Sequence, residues 1–162
     1  MPTHHLWILR HARAEPAGFG MRDQDRPLAA AGRQACAHIN SWLQQSRPRH
    51  LPQQVLVSPA LRTVQTARLA LAGLGLDCVT EPRLWEASAG ELQALLGDPL
   101  ARHRDLMVVA HNPGLEGLAR LLGARLPSTG LSPGTLVILQ LALPLQPGQT
   151  ETLQVLPARE SM

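Results

Sequence analysis

Apolar positions along the chain fall into short unbroken runs separated by longer stretches with helical spacing. Residues 5–9 form an apolar run that a parallel strand covered on both faces tolerates, and it stops at Arg10. A polar loop with Pro16, Gly18 and Gly20 follows. Over residues 28–45, Ala35, Ile39, Trp42 and Leu43 share one helical face, Pro27 suits the entry, and Pro48 and Pro52 end the helix. Residues 54–57 read as a second buried strand, Ser58-Pro59 opens a helix running to Gly73 or Gly75, and residues 77–80 read as a third strand. Residues 91–96 read as a short helix and residues 106–110 as the clearest strand; after His111-Asn112-Pro113 a helix runs to about Leu122. Residues 135–143 and 150–156, parted by Pro147-Gly148, read as a closing hairpin.

This alternation predicts the α/β class: three α/β/α layers around a mostly parallel sheet, with a C-terminal hairpin. No repeat and no low-complexity block interrupts it, so residues 1–162 read as one domain, large enough to bury a core without disulfides.

Composition narrows the function classes. All fifteen basic residues are Arg and the net charge is +3, with the arginines scattered along the chain. Only Phe19, Trp7, Trp42 and Trp85 are aromatic, so the basic stripe with interleaved aromatics of a nucleic-acid binder is missing and no nucleic-acid partner is expected. Without Lys there is neither a P-loop nor a Schiff-base lysine. No apolar run approaches the roughly 18 residues of a membrane span, and the first thirty residues lack the order of a signal peptide, so a cytoplasmic protein with no membrane partner is expected. Cys36 and Cys78 read as two buried thiols.

In an open parallel sheet, ligands bind beyond the carboxyl ends of the strands. Three predicted strands end there in anion-binding residues: Arg10-His11 with Arg13, Ser58-Pro59 with Arg62, and His111 with Pro113. Pro59 and Pro113 read as first-turn prolines whose helices aim unpaired N–H groups at that edge, and the guanidinium forks match phosphate oxygens. A phosphoryl group held this way needs a nucleophile. The chain has no Cys-x5-Arg loop, and Asp23-Gln24-Asp25, flanked by arginines and following no apolar strand, is set aside as an aspartyl-phosphate motif. No metal-ligand spacing occurs either, so no metal or other cofactor is expected. His11, whose neutral imidazole can attack phosphorus, is the candidate.

These residues resemble a family. Leu9-Arg10-His11-Ala12 is similar to the Arg-His-Gly signature of the histidine phosphatase superfamily, which includes phosphoglycerate mutases. Arg26-Pro27-Leu28 with Gly32, Val57-Ser58-Pro59 with Arg62, Gln65-Thr66-Ala67 and Ala110-His111-Asn112-Pro113 follow in the family's order. Length and the stretch from His111 to Glu116 most resemble the SixA type, phosphohistidine phosphatases acting on phosphorelay proteins. The resemblance implies a phosphoglycerate mutase-like fold, with His11 as nucleophile, Arg10 and Arg62 on the phosphoryl oxygens, and His111 donating a further hydrogen bond. It also implies a general acid, for which Glu86 is the candidate. Ala12 stands where Gly is more usual, and its Cβ could narrow the turn.

The expected activity is metal-independent hydrolysis of phosphohistidine on a histidine-phosphorylated protein domain, through a phosphorylated His11. A small-molecule phosphomonoester phosphatase and a non-catalytic phospho-protein binding module are the alternatives, and the sequence does not indicate an oligomeric state. Structural readings apply elsewhere. Arg13 either supports the site or is a solvated loop charge, Arg26 braces its loop or pairs with Asp23, and Ser58 caps its helix. Gln65-Thr66-Ala67 packs the helix behind Arg62, and Glu116, in the first turn after Pro113, either serves the helix dipole or takes part in catalysis. His4, His5, His38, His50 and His103 show no partner pattern, Trp42 belongs to a core face, and Trp85 suits either core or site.

Overall fold

Successive residues of β1 (His4–Arg10) point to opposite sides of the sheet, and both sides are covered. Leu6 and Ile8 enter one hydrophobic core while Trp7 and Leu9 enter the other. The same division runs through β4 (Asp105–Ala110), where Leu106 and Val108 face the first core and Met107 and Val109 the second. The computed structural model describes residues 2–46, 49 and 51–159; Pro48 and His50 lie outside the described residues.

The remaining elements are α1 (Ala30–Ser46), β2 (Gln54–Val57), α2 (Leu61–Ala70), β3 (Cys78–Thr80), α3 (Ala89–Arg102), α4 (Gly114–Leu122), β5 (Leu136–Leu141) and β6 (Thr150–Leu156), with 3-10 turns at Asp23–Asp25 and Pro82–Leu84. Residues of α1 and α2 fill one core and those of α3 and α4 the other, giving the expected three layers. The strands lie in the order β3-β2-β4-β1-β5-β6. β1 to β4 are parallel, whereas β5 runs antiparallel to β1 and pairs with β6 in the expected hairpin. Arg10 is opposite Ala110 and Val57 opposite Val109, so three chains leave the sheet side by side.

Several boundaries differ from the sequence reading, each for a local reason. α1 starts at Ala30 because Gln65 Oε1 accepts from the Leu28 N–H at 2.8 Å and the Arg13 carbonyl accepts from Ala29 at 2.9 Å, which keeps residues 28–29 extended. α2 stops at Ala70, short of Gly73, since Asn40 Nδ2 donates to the carbonyls of Ala70 and Ala72 at 3.1 and 2.8 Å. α3 is much longer than residues 91–96. A capping box joins Ser88 and Glu91 at its start, and the helix carries Pro99 near its end at the loss of one backbone hydrogen bond. β3 is the sheet edge with all three residues exposed, so only Cys36 is a buried thiol and Cys78 is not. His5 has a partner after all: its Nδ1 lies 2.6 Å from Asp105 Oδ1.

Gly32 sits in the first turn of α1 against the loop that follows β1. A Cβ there would overlap the Arg13 carbonyl oxygen and come within 3.0 Å of the Arg13 nitrogen, both backbone atoms that cannot rotate away. Gly32→Ala is therefore expected to lower stability by about 1–3 kcal/mol. Urea unfolding measures this directly, and an unchanged midpoint with an unchanged slope would refute it.

Candidate active site

The ladder continues one residue past the strand ends. His11 N donates to the Ala110 carbonyl at 3.1 Å and Ser58 N to the Val109 carbonyl at 3.0 Å, which holds His11, Ser58 and His111 in adjacent positions. The His11 and His111 rings lie 5.3 Å apart between centroids. His11 is 9% exposed, and its Nδ1 is 2.8 Å from the carbonyl oxygen of Ala12. A carbonyl only accepts, so Nδ1 carries the hydrogen and the lone pair belongs to Nε2. Burial pushes the His11 pKa down to about 4, against the Ala12 hydrogen bond, and the charges of Arg62, Arg10 and Arg26 lower it further.

His111 Nε2 lies 2.7 Å from Ser58 Oγ. When the hydroxyl donates, Nδ1 is the N–H side of that ring and stands as a donor. Burial and then His11, Arg62 and Arg10 lower the His111 pKa to about 3, with Asp23 pulling the other way. Trp85 packs edge-on to this ring at 5.2 Å and lies 5.5 Å below the Arg62 guanidinium carbon, so it belongs to the site.

Two arginines complete the group. Arg10 Nη1 donates to the Leu131 carbonyl at 2.9 Å, and Asn112 Nδ2 donates to the same oxygen at 2.9 Å. The Leu131 N–H in turn donates to Glu116 Oε1 at 2.6 Å, so Glu116 anchors a loop as well as pairing with Arg120. Arg62, 6% exposed, donates from Nη1 to the Asp23 carbonyl at 2.8 Å and from Nη2 to Asp23 Oδ2 at 3.0 Å. Arg26 Nη1 donates to the other Asp23 oxygen at 3.0 Å while its Nε donates to the Glu15 carbonyl, so it both pairs with Asp23 and braces the loop.

Three nitrogens in this group, Arg10 Nε, Arg62 Nε and His111 Nδ1, are buried without a hydrogen-bond partner. Buried polar atoms are rarely left unpaired, and an oxyanion with several acceptor oxygens satisfies two guanidinium N–H groups and an imidazole N–H together. A cleft of about 410 Å³ opens beside them, lined by Asp23, Arg62, Trp85, Glu86, Ser88 and His111 among others. Glu86 is exposed on its wall, with the left-handed backbone φ of 56°.

The structure therefore brings Arg10, His11, Arg62 and His111 together and sets Glu86 at the cleft. The helix termini depart from expectation. Pro59 precedes the α2 cap residue Ala60, and Pro113 is itself the α4 cap, so neither lies in a first turn. In the first turn of α4 the Leu115 N–H donates to the His111 carbonyl and the Glu116 N–H to Asn112 Oδ1, so these two are not left for a ligand. Ser58 holds His111 and does not cap α2. Ala12 is buried in the core beside α1 and its N–H donates to Thr66 Oγ1 at 3.0 Å, so its Cβ has a place among apolar neighbours. Sequence reasoning missed Asp23 as a cleft residue. Its spacing to Arg26 was visible, but its contact with Arg62 spans 39 residues.

Residues 6–126 match the family model for the histidine phosphatase superfamily (branch 1), and the chain belongs to that family, whose members include phosphatases. It is an enzyme of the phosphatase class with the phosphoglycerate mutase-like fold, and it is similar to solved structures of the SixA type. A solved structure assigned as the phosphohistidine phosphatase SixA from Agrobacterium tumefaciens is 26% identical, covers 97% of this chain and 99% of its own, and superposes with a TM-score of 0.81. A second so assigned, from Nakamurella multipartitia, is 26% identical over 98% of both chains with a TM-score of 0.78. The fold is also shared with a protein histidine phosphatase SixA complexed with tungstate, 22% identical over 94% and 96% of the two chains, with a TM-score of 0.77. No curated protein matches the chain in sequence. Among the described residues, no helix is long and apolar enough to cross a membrane.

The lowered pKa values of His11 and His111 carry a sign. Their ordinary value is 6.5, so between that pH and about 4 the folded protein binds fewer protons than the unfolded chain, and acidification through this window costs stability. Imidazole titration followed by nuclear magnetic resonance is expected to place both midpoints below 5, and midpoints at or above 6 would contradict the burial argument.

Proposed function

We propose that the protein hydrolyses phosphohistidine on a phosphorelay protein, without a metal, through a phosphoryl group carried transiently on His11. The observation that carries this reading is the fixed tautomer of His11: the Nδ1 hydrogen bond to Ala12 leaves Nε2 a neutral nucleophile among Arg10, Arg62 and His111. Nε2 attacks phosphorus in line while the P–N bond of the substrate breaks. The two guanidinium Nε groups and His111 Nδ1 take the equatorial oxygens as charge develops, and water then releases phosphate from His11. The SixA assignment of relatives at 26% identity supports the same substrate class.

A second reading rests on Glu86. A carboxyl on the cleft wall suits protonation of an alkoxide, the requirement of phosphomonoester hydrolysis, whereas a departing imidazole needs no such acid.

Phosphate release from a histidine-phosphorylated transfer domain, measured in EDTA with His11→Ala alongside, tests the proposal. Release by the wild type and at least a hundredfold loss in the variant is the expected outcome. Turnover of alkyl phosphates with comparable efficiency, lost on Glu86→Gln, would favour the second reading. No turnover of either substrate, with vanadate bound no more tightly than phosphate, would leave a binding module.

A further inference from the structure

Asp23 is an unusual neighbour for a phosphate site. A carboxylate lining the cleft lies 3.0 Å from Arg62 Nη2 and occupies both terminal nitrogens of that guanidinium through its side chain and its own carbonyl. It is also tied to Arg26, which is anchored on the Glu15 carbonyl. The Asp23 side chain is 53% exposed and lines the cleft while Arg62 is buried, so the carboxylate is open to a ligand there although each of its oxygens already accepts from an arginine. The charged groups around it are Arg26 and Arg62, and the His111 ring, held neutral, is its further titratable neighbour.

A negative charge there opposes a phosphate dianion. If the site served any phosphate ester, this would weaken binding for no return; Arg62 could be held by backbone carbonyls, as Arg10 is by Leu131. The charge is useful only if the group beyond the phosphorus is positive. Phosphoramidates of imidazole meet that condition in their protonated form: with a proton on the ring nitrogen not bonded to phosphorus the ring is an imidazolium, whereas the group beyond the oxygen of a phosphate ester is neutral.

From this geometry we infer that Asp23 is a specificity-determining residue that accepts a hydrogen bond from the distal ring N–H of a phosphorylated imidazole, selecting N-linked over O-linked phosphoryl donors. The inference rests on the phosphohistidine reading above and names the part of the cleft that receives the leaving group. In the transfer, the His11 Nε2 lone pair forms the new P–N bond and the pair of the old P–N bond returns to the departing ring. That ring keeps its distal proton on Asp23 and leaves as neutral imidazole, while His11 becomes the imidazolium with Nδ1–H on Ala12. The positive charge passes from one ring to the other and no proton needs to reach the breaking bond. The Arg26 hydrogen bond first, and then the one from Arg62, hold the Asp23 carboxyl below its ordinary pKa, which keeps it an acceptor.

The test compares kcat/KM for phosphoimidazole and for p-nitrophenyl phosphate in the wild type, Asp23→Asn and Asp23→Glu. Asp23→Asn keeps an acceptor for Arg62 and removes the charge, and it is expected to lower the phosphoimidazole-to-aryl ratio by about tenfold or more, chiefly through KM for phosphoimidazole. Asp23→Glu, which retains the charge, is expected to restore part of the ratio. An equal loss on both substrates would overturn the inference and reduce Asp23 to a positioning residue for Arg62. A wild type that turns over the aryl ester but not phosphoimidazole would instead overturn the phosphohistidine reading itself, a result visible before any variant is made.

Discussion

The parallel pairing of β1 with β4 is the constraint on which the site depends. Arg10 is held opposite Ala110, and one further hydrogen bond, from His11 N to the Ala110 carbonyl, delivers His11 and His111 to the same level with their rings 5.3 Å apart. β2 adds Ser58 by the same device on the other side of β4. A single-residue slip in either pairing would turn every side chain of a strand to the opposite core and carry its histidine or serine out of reach. The register is protected because both faces of β1 and β4 are buried. Packing thus fixes the chemistry: hydrophobic cores above and below the sheet determine where a nucleophile and its neighbours emerge.

The two arginines are held by different means. Arg10 is tied to a neutral carbonyl and Arg62 to a carboxylate, so the site has one cation of nearly full strength and one partly compensated. Burial keeps both histidines neutral, and the arginine charges reinforce this. The same positive field that would draw a phosphoryl group in also suppresses protonation of the ring that is to attack it. Attraction of substrate and availability of the lone pair therefore have a common source.

Much of this was legible in the sequence because strands buried on both faces leave continuous apolar runs, and residues 5–9 and 106–110 end abruptly in charged or imidazole side chains. The order of those endings gave the anion site, and the family resemblance gave roles to its members. What escaped was carried by contacts between distant segments or by edges. Asp23 meets Arg62 across 39 residues, and Ser58 looked like a helix cap until His111, 53 residues away, proved to be its partner. Cys78 resembled a buried thiol because a three-residue strand does not reveal in sequence whether it is central or at the edge. α3 runs well beyond residues 91–96 although Gly97 and Pro99 are helix breakers in isolation, because a capping box and the buried face of Leu92, Leu96 and Leu100 outweigh them.

The loop before β5 meets the site through main-chain atoms alone. The Leu131 carbonyl receives Arg10 and Asn112, its N–H is held by Glu116, and the Gly134 N–H reaches the carbonyls of Arg10 and His11. Any residue supplies a carbonyl and nearly any an N–H, so the solvent-facing side chains of this segment, Ser128 and Thr129 among them, are at liberty to drift. Its length is not, since one inserted or deleted residue would move all these atoms at once. At its solvent-facing positions this segment is built to tolerate spelling changes, but not a change in the number of letters.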